Sequence, residues 1–340
     1  MYREYYAARN GFSGFKSYFN EVFDKSSLSH IYILKGGPGT GKSTLMRKIS
    51  KHFFDKGFNI DAIFCSSDTK SLDGVIIDGK VAIIDGTAPH EMDTRLPGAF
   101  DEIINLGDSW NAESLKKSRE KIEELNLTKK ENYSSAYKYL AFSKNIHDYK
   151  QELLRKEFDF DYVENFISKT LSSFKKSIKK PKSMLISSFS KDGYTRRNLY
   201  SFDIQKSYSI VGSLGTDELF FEALMGLALG NFKLTFFISP FSEEITDGIY
   251  FEEEKALFLR SQCEGEVINT DRFLKTESLD EIEFLNKILD SYLEKSKLYF
   301  KKASEAHFSL EDIYKESMDF KLNEEIFNVL SEKIEKILSL

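Results

Sequence analysis

Eight consecutive residues, Gly36-Gly37-Pro38-Gly39-Thr40-Gly41-Lys42-Ser43, have the types and spacing that hold a chain of phosphates. Glycines at this spacing let the backbone curl so that several N–H groups converge on one anion. A helix starting at the same point adds the positive end of its dipole. Lys42 supplies a full charge to the β- and γ-phosphates, and the Ser43 hydroxyl is the expected magnesium ligand. Thr44 is placed to assist near the α-phosphate. The expected ligands are a nucleoside triphosphate and Mg2+. No Asn-Lys-x-Asp motif that would read guanine occurs in the sequence, which favours ATP.

A second chemical signal lies downstream. The apolar run Val81-Ala82-Ile83-Ile84 ends in Asp85, which puts a carboxylate at the C-terminal end of a buried strand, the edge where open α/β sheets bind ligands. Asp85 is expected to hold Mg2+, directly or through water. Gly86 follows it, so the acidic residue that many ATP-hydrolysing proteins carry at that point is missing. Asp68 and Asp73 follow the second strand, and His90 and Arg95 lie in the Gly86 to Gly98 segment; these are the alternative groups for proton transfer. Asp73 also reads as structural, because an aspartate recurs at the matching place in the second half. The candidate catalytic set is Lys42, Asp85, Asp68 and His90.

Elements of the right kind surround these residues. His30-Ile31-Tyr32-Ile33-Leu34 is a short apolar run closed by glycines, as a buried parallel strand should be. From Ser43 to Asp55, Leu45, Met46, Ile49 and Phe53 fall on one helical face, and Gly57 is a plausible stop. Asn59 to Cys65 and Val81 to Ile84 read as further strands. Strand, helix, strand in this order predicts an α/β fold with a parallel sheet. From about Asp108 to Lys180 the spacing is helical, with Asp161 a candidate N-cap for a helix through Ile178. Strand-like sequence returns at Met184–Phe189, Ser207–Val211 and Leu234–Ile238, and a second helical tract starts at Leu279.

That alternation predicts an internal duplication. Gly36 to Ser43 falls on Gly212-Ser213-Leu214-Gly215-Thr216-Asp217-Glu218-Leu219, Asp73-Gly74 on Asp247-Gly248, and Ala82-Ile83-Ile84 on Ala256-Leu257-Phe258. Tyr139, His147, Asp159 and Phe160 match Tyr299, His307, Asp319 and Phe320, and Arg3 and Tyr6 can be laid on Arg197 and Tyr200. The second half lacks the charges: Glu218 stands for Lys42, Asp217 for Gly41 and Leu259 for Asp85. A carboxylate in place of the lysine repels phosphate by several kcal/mol at an effective dielectric of roughly 20, so no triphosphate is expected there.

Composition narrows the partners. Apolar residues make up 41% and charged residues 30%, an ordinary globular balance. A net charge of −6 gives no general attraction for nucleic acid, and the Lys175, Lys176, Lys179, Lys180, Lys182 run reads as a solvated helix end. Cys65 and Cys263 have no metal-ligand spacing, and Cys65 reads as a small buried residue. No apolar run is long enough to span a membrane, and the first residues do not read as a signal peptide, so a cytoplasmic protein is expected. A duplicated module can satisfy its own pairing surface, which favours a monomer.

The stretch Ile33 to Leu45 resembles the first phosphate loop of a bacterial family of tandem P-loop ATPase-like proteins. So do Phe64-Cys65-Ser66-Ser67-Asp68, Ser71 to Ile77, Ile84 to His90, Pro97-Gly98-Ala99 and Asp101 to Gly107. Family members commonly keep a second intact loop; this chain departs from that at Asp217 and Glu218. The resemblance implies ATP binding and a tandem P-loop NTPase fold, each copy followed by a helical tract. The expected layout is an active core at 1–107, a helical insertion or lid at 108–181, a degenerate core at 182–275 and a C-terminal helical tract at 276–340. The expected function is a Mg-dependent ATPase with one working nucleotide site. A small-molecule kinase and a non-enzymatic ATP-dependent switch are the alternatives.

Overall fold

The computed structural model describes residues 1–24, 26–260, 265–275 and 279–339; Cys263 lies outside them. The first half opens with strand β1 (Tyr2–Tyr6), the hairpin β2 (Ala8–Gly11) and β3 (Gly14–Ser17), and a single helical turn, α1 (Phe19–Val22). It continues through β4 (His30–Lys35), α2 (Lys42–Asp55), β5 (Ile60–Phe64), β6 (Leu72–Ile77), β7 (Val81–Asp85) and β8 (Asp101–Asn105). Three helices follow: α3 (Ala112–Lys117), α4 (Arg119–Glu157) and α5 (Phe160–Leu171). The N-cap of α5 is Asp159, whose side chain accepts from Tyr162 N at 3.0 Å, not the Asp161 expected from the sequence.

The second half repeats the order with β9 (Lys182–Met184), the hairpin β10 (Ser187–Ser190) and β11 (Gly193–Arg196), β12 (Lys206–Val211) and α6 (Thr216–Ala228). Then come β13 (Leu234–Ile238), β14 (Thr246–Phe251), β15 (Ala256–Arg260) and β16 (Glu266–Asn269). Two helices, α7 (Asp280–Lys315) and α8 (Lys321–Leu338), complete the chain. Among the described residues no helix is long and apolar enough to cross a membrane.

The fold is mixed α/β. Each half has a six-stranded sheet, ordered β1-β5-β6-β7-β4-β8 in the first and β9-β13-β14-β15-β12-β16 in the second. β4 lies parallel between β7 and β8, and the loop leaving it emerges at the carboxyl edge of the sheet. The expected parallel sheet is found to be mixed: β6 runs antiparallel to both β5 and β7. The reason is local: Asp78 and Gly79 take left-handed φ values of 51° and 67°, the turn that an Asp-Gly pair favours between two antiparallel strands. The buried face of α2 carries Leu45, Met46, Ile49 and Phe53, as its periodicity predicts, and packs with Leu330 and Ile334 of α8.

Strand register shifts the internal alignment by one residue. In the first sheet His30 pairs with Val81 and Leu34 with Asp85. In the second, Lys206 pairs with Ala256 and Ile210 with Arg260. His30 and Lys206 each stand six residues before the aligned glycine, Gly36 or Gly212. The counterpart of Asp85 is therefore Arg260, and not Leu259. The antiparallel pairs agree, with Gly74 opposite Ile84 and Gly248 opposite Leu259. The shift comes from the turn before the strand, residues 78–80 in one half and 252–255 in the other. Upstream, the counterpart of β1 is β9, so the matching of Arg3 and Tyr6 with Arg197 and Tyr200 does not hold.

The helical tracts cross over. α4 and α7 pack side by side and antiparallel: Tyr139 stacks on Tyr299 with ring centroids 5.6 Å apart, while Phe142 meets Tyr292 and Lys150 Nζ donates to Asn286 Oδ1 at 2.7 Å. The end of α4 then reaches the second half, where Gln151 Nε2 donates to Gly215 O at 3.3 Å. α5 joins that half's apolar core through Val163 and Ile167. The end of α7 and all of α8 return to the first half. Each core is thus covered largely by the helices that follow the other one in sequence, although Ile282 at the start of α7 joins the second core.

Candidate functional site

The loop between β4 and α2 owes its shape to two left-handed glycines. Gly39 has φ +73° and Gly41, the residue that caps α2, has φ +87°; side chains with a Cβ adopt this region only at a cost. Neither has room for a side chain. A Cβ on Gly39 would meet Glu311 O at 2.5 Å, and one on Gly41 would meet Asn323 Nδ2 at 2.7 Å. No acidic residue stands in the first turn of α2, so its N-terminal end keeps its attraction for an anion.

Lys42 folds back over this loop. Its Nζ donates to Gly36 O at 2.7 Å and Gly37 O at 2.9 Å and lies 3.6 Å from Asp85 Oδ2. Asp85 sits level with Leu34 at the end of β7, and its Oδ1 accepts from Thr87 N at 2.9 Å and Thr87 Oγ1 at 2.6 Å. That leaves Oδ2 as the oxygen turned toward the lysine. Ser43 Oγ accepts from Leu72 N at 2.9 Å, at the start of β6. Thr40 is buried and donates to Gly37 O at 2.9 Å, bracing the loop from within. Thr44 lies on the outer side of α2, facing a small cavity.

The other candidates are tied to protein groups. Asp68 accepts from Ser71 Oγ at 2.6 Å and pairs with Lys191 Nζ at 3.3 Å, a cation supplied by the β10–β11 turn of the second half. Asp73 and His90 are both buried and face each other, Nε2 to Oδ2, at 3.2 Å. The His90 ring stacks on Phe19, 4.1 Å between centroids. The Arg95 guanidinium reaches Asn20. Burial pushes the Cys65 thiol well above its ordinary pKa, which favours its uncharged form.

Several residues that sequence reasoning passed over complete the site. Lys35 Nζ donates to Gly86 O and Met92 O, each at 2.7 Å, and so pins the segment after Asp85. Tyr314 lays its ring on Gly37, with 3.0 Å to the position of an added Cβ. Asn323 Nδ2 donates to Thr40 O at 3.0 Å. Tyr314 and Asn323 come from the C-terminal helices, and nothing in the local sequence around Gly36 announces them.

The corresponding place in the second half is filled from inside. Asp217 stands where Gly41 does and takes no left-handed φ; α6 accordingly begins at Thr216, two residues earlier in the aligned frame than α2. Both Asp217 and Glu218 fall in the first turn of that helix. Asp271 accepts from Ser213 N, with N–O distances of 3.0 and 3.1 Å to its two oxygens, and from Thr216 Oγ1 at 2.6 Å. Its carboxylate thus takes up a loop N–H that an outside anion would need. In the first half the same place is held by Gly107, each being the second residue of a short 3-10 turn, Leu106–Ser109 or Thr270–Phe273.

Arg260 lies 3.4 Å from Asp217, 3.8 Å from Glu218 and 3.7 Å from Asp247. Burial alone would lower its pKa, yet these carboxylates outweigh that and raise it. Burial likewise opposes the charge on Glu218, but the His147 hydrogen bond at 3.0 Å, with Arg260 and Lys150 nearby, holds its pKa below the ordinary value. Among the described residues no group of three or more His, Cys, Asp or Glu side chains is arranged to hold a metal ion.

A family model described as "Nephrocystin 3, N-terminal" matches residues 15–76, a span that includes the Gly36–Ser43 loop, α2 and β5. No curated protein and no solved structure matches the chain.

Proposed function

We propose that the chain binds Mg·ATP through Gly36–Thr44 and hydrolyses it, with one working nucleotide site. The observation that carries this reading is the Lys42 ammonium held 3.6 Å from Asp85 Oδ2, against a loop shaped by left-handed Gly39 and Gly41. Phosphate oxygens offered to this loop would exchange the Gly36 and Gly37 carbonyls for a stronger, charged partner to Lys42. The matching strand order of the two sheets supports a duplicated P-loop fold with residues 182–275 as the silent copy, as the likeness to tandem P-loop ATPase-like proteins implies.

The residues present suit Mg2+. This ion keeps most of its waters and takes only one or two protein oxygens beside the phosphates, so Ser43 Oγ and Asp85 suffice without a larger cluster. Bound there, it would neutralise charge on the transferring phosphoryl group. Asp68 and the Asp73–His90 pair are the remaining candidates for steering water, each already held in a defined position.

A second reading is favoured by the contact of α7 with the loop. The Glu311 carbonyl and the Tyr314 ring lie against Gly39 and Gly37, so filling the loop would press on a helix of 36 residues. That is the geometry of a nucleotide-dependent switch. Calorimetry with Mg·ATP, followed by phosphate-release assays with and without a metabolite panel, separates these outcomes. Binding with phosphate release supports the ATPase, binding without turnover supports the switch, and absence of binding refutes both. ADP formed only with an acceptor would instead make the protein a kinase.

A further inference from the structure

A cavity of about 170 Å³ adjoins the loop on the outer side of α2. Gly41, Thr44 and Lys48 form one wall, and Phe320, Asn323 and Glu324, at the start of α8, form the other. The volume is well below the roughly 300–1,000 Å³ typical of sites that hold a whole drug-sized ligand. It suits a single flat ring system whose charged remainder lies elsewhere. The Gly36–Ser43 loop, which contributes Gly41 to the cavity wall, is where a charged remainder would go.

Phe320 is a large aromatic on the cavity wall. It is 44% exposed, and among the described residues no aromatic or cationic side chain stacks on it. Its repeat counterpart shows what the fold does when the position is only structural. Phe160 packs edge-on against Phe158, 5.2 Å between centroids, and its face is covered by the Arg155 guanidinium at 5.4 Å. In the silent half the ring is capped by the protein, whereas in the half with the cationic loop the equivalent ring faces an open cavity.

The ring is also held in place. Asp319 N donates to Ser109 O at 2.9 Å, and Trp110 and Met318 form an antiparallel bridge, so the segment leading to Phe320 is tied to the first core. Asn323 is fixed to the loop by its bond to Thr40 O. Lys48 and Glu324 pair at the rim, leaving a polar mouth over an apolar floor.

We infer that this cavity receives the base of the bound nucleotide, with Phe320 as the stacking surface. The inference rests on the reading of Gly36–Thr44 as a triphosphate site. It adds that affinity for the nucleoside part is supplied by a residue lying beyond the second core in sequence. Stacking on an aromatic tolerates any base and is commonly worth tenfold or more in affinity.

The test is calorimetry on the full chain with Mg·ATP and, separately, magnesium with inorganic tripolyphosphate. Wild-type protein should bind Mg·ATP at least about tenfold more tightly than the tripolyphosphate. Phe320→Ala should lose about tenfold in ATP affinity while keeping its tripolyphosphate affinity, which also shows that the loop is still folded; Phe320→Tyr should keep both. Equal wild-type affinity for the two ligands overturns the base slot and leaves the phosphate loop standing. A Phe320→Ala loss shared by both ligands, or seen with neither, overturns it as well. If wild-type protein binds neither ligand, the triphosphate reading itself fails and takes the slot with it.

Discussion

Glu218 Oε2 lies 3.8 Å from Arg260 Nη2, and this pair is the sign-reversed counterpart of Lys42 and Asp85 in the first half. One half carries the cation at its helix start and the anion at its strand end; the other carries the anion at the helix start and the cation on the strand. The reversal conserves the attraction between helix start and strand end.

Reversing both charges tests whether that attraction holds the second half together. Glu218→Lys alone places a cation beside Arg260 and Lys150 and should cost about 3 kcal/mol of stability, as should Arg260→Asp alone. Glu218→Lys with Arg260→Asp should be more stable than the sum of the two losses allows. Denaturant unfolding of the four proteins measures the coupling; strictly additive losses would show that the two residues act independently.

Lys42→Ala should lower Mg·ATP affinity at least tenfold, because the charge nearest the phosphates is gone. Glu218→Ala should change it by less than about twofold. Titration calorimetry reads both. Equal affinities for wild type and Lys42→Ala would locate the nucleotide somewhere else.

Gly41→Ala should be costly twice over. The left-handed φ of +87° costs roughly 1–2 kcal/mol for a residue with a Cβ, and the new methyl would push Asn323 from its bond to Thr40 O. A lowered melting temperature with weakened ATP binding is expected. Asp217→Gly, at the matching place in the second half, should create no second site, because Asp271 still occupies the Ser213 N–H.

The helix end that covers the loop should be acid-sensitive. Glu311 accepts from His307 at 3.5 Å and Lys315 at 2.9 Å, and the His307 hydrogen bond is the larger cause of a pKa depressed from 4.5 to about 2. A depressed carboxylate stabilises the fold fully above its unfolded value and loses that contribution as pH falls toward the folded one. Wild-type protein should therefore lose more stability than Glu311→Gln between about pH 4.5 and 2. Melting temperatures of the two across that interval provide the check; parallel curves would remove Glu311 from the account.

Much of the first half is legible from local pattern. The buried run of β4, the apolar face of α2 and the spacing of Gly36, Gly41 and Lys42 each follow from residues close in sequence. The second half misleads by one residue, because the turn before β15 is longer than the turn before β7 and apolar strands slide without penalty in an alignment. Only the hydrogen-bonded register distinguishes Arg260 from Leu259 as the counterpart of Asp85. The β6 strand could have been found from Asp78-Gly79. Asp271, Tyr314 and Phe320 could not, since their roles depend on contacts between segments far apart in the chain.

The stacked rings of Tyr139 and Tyr299 join α4 to α7, the long helices that follow the two six-stranded sheets. Each half borrows cover from the other's helices: the first core takes in Leu330 and Ile334 of α8, and the second takes in Leu154 of α4 with Val163 and Ile167 of α5. A cut at about Pro181 should therefore give fragments that are unstable apart and assemble when mixed, a heterodimer released from a covalent tether.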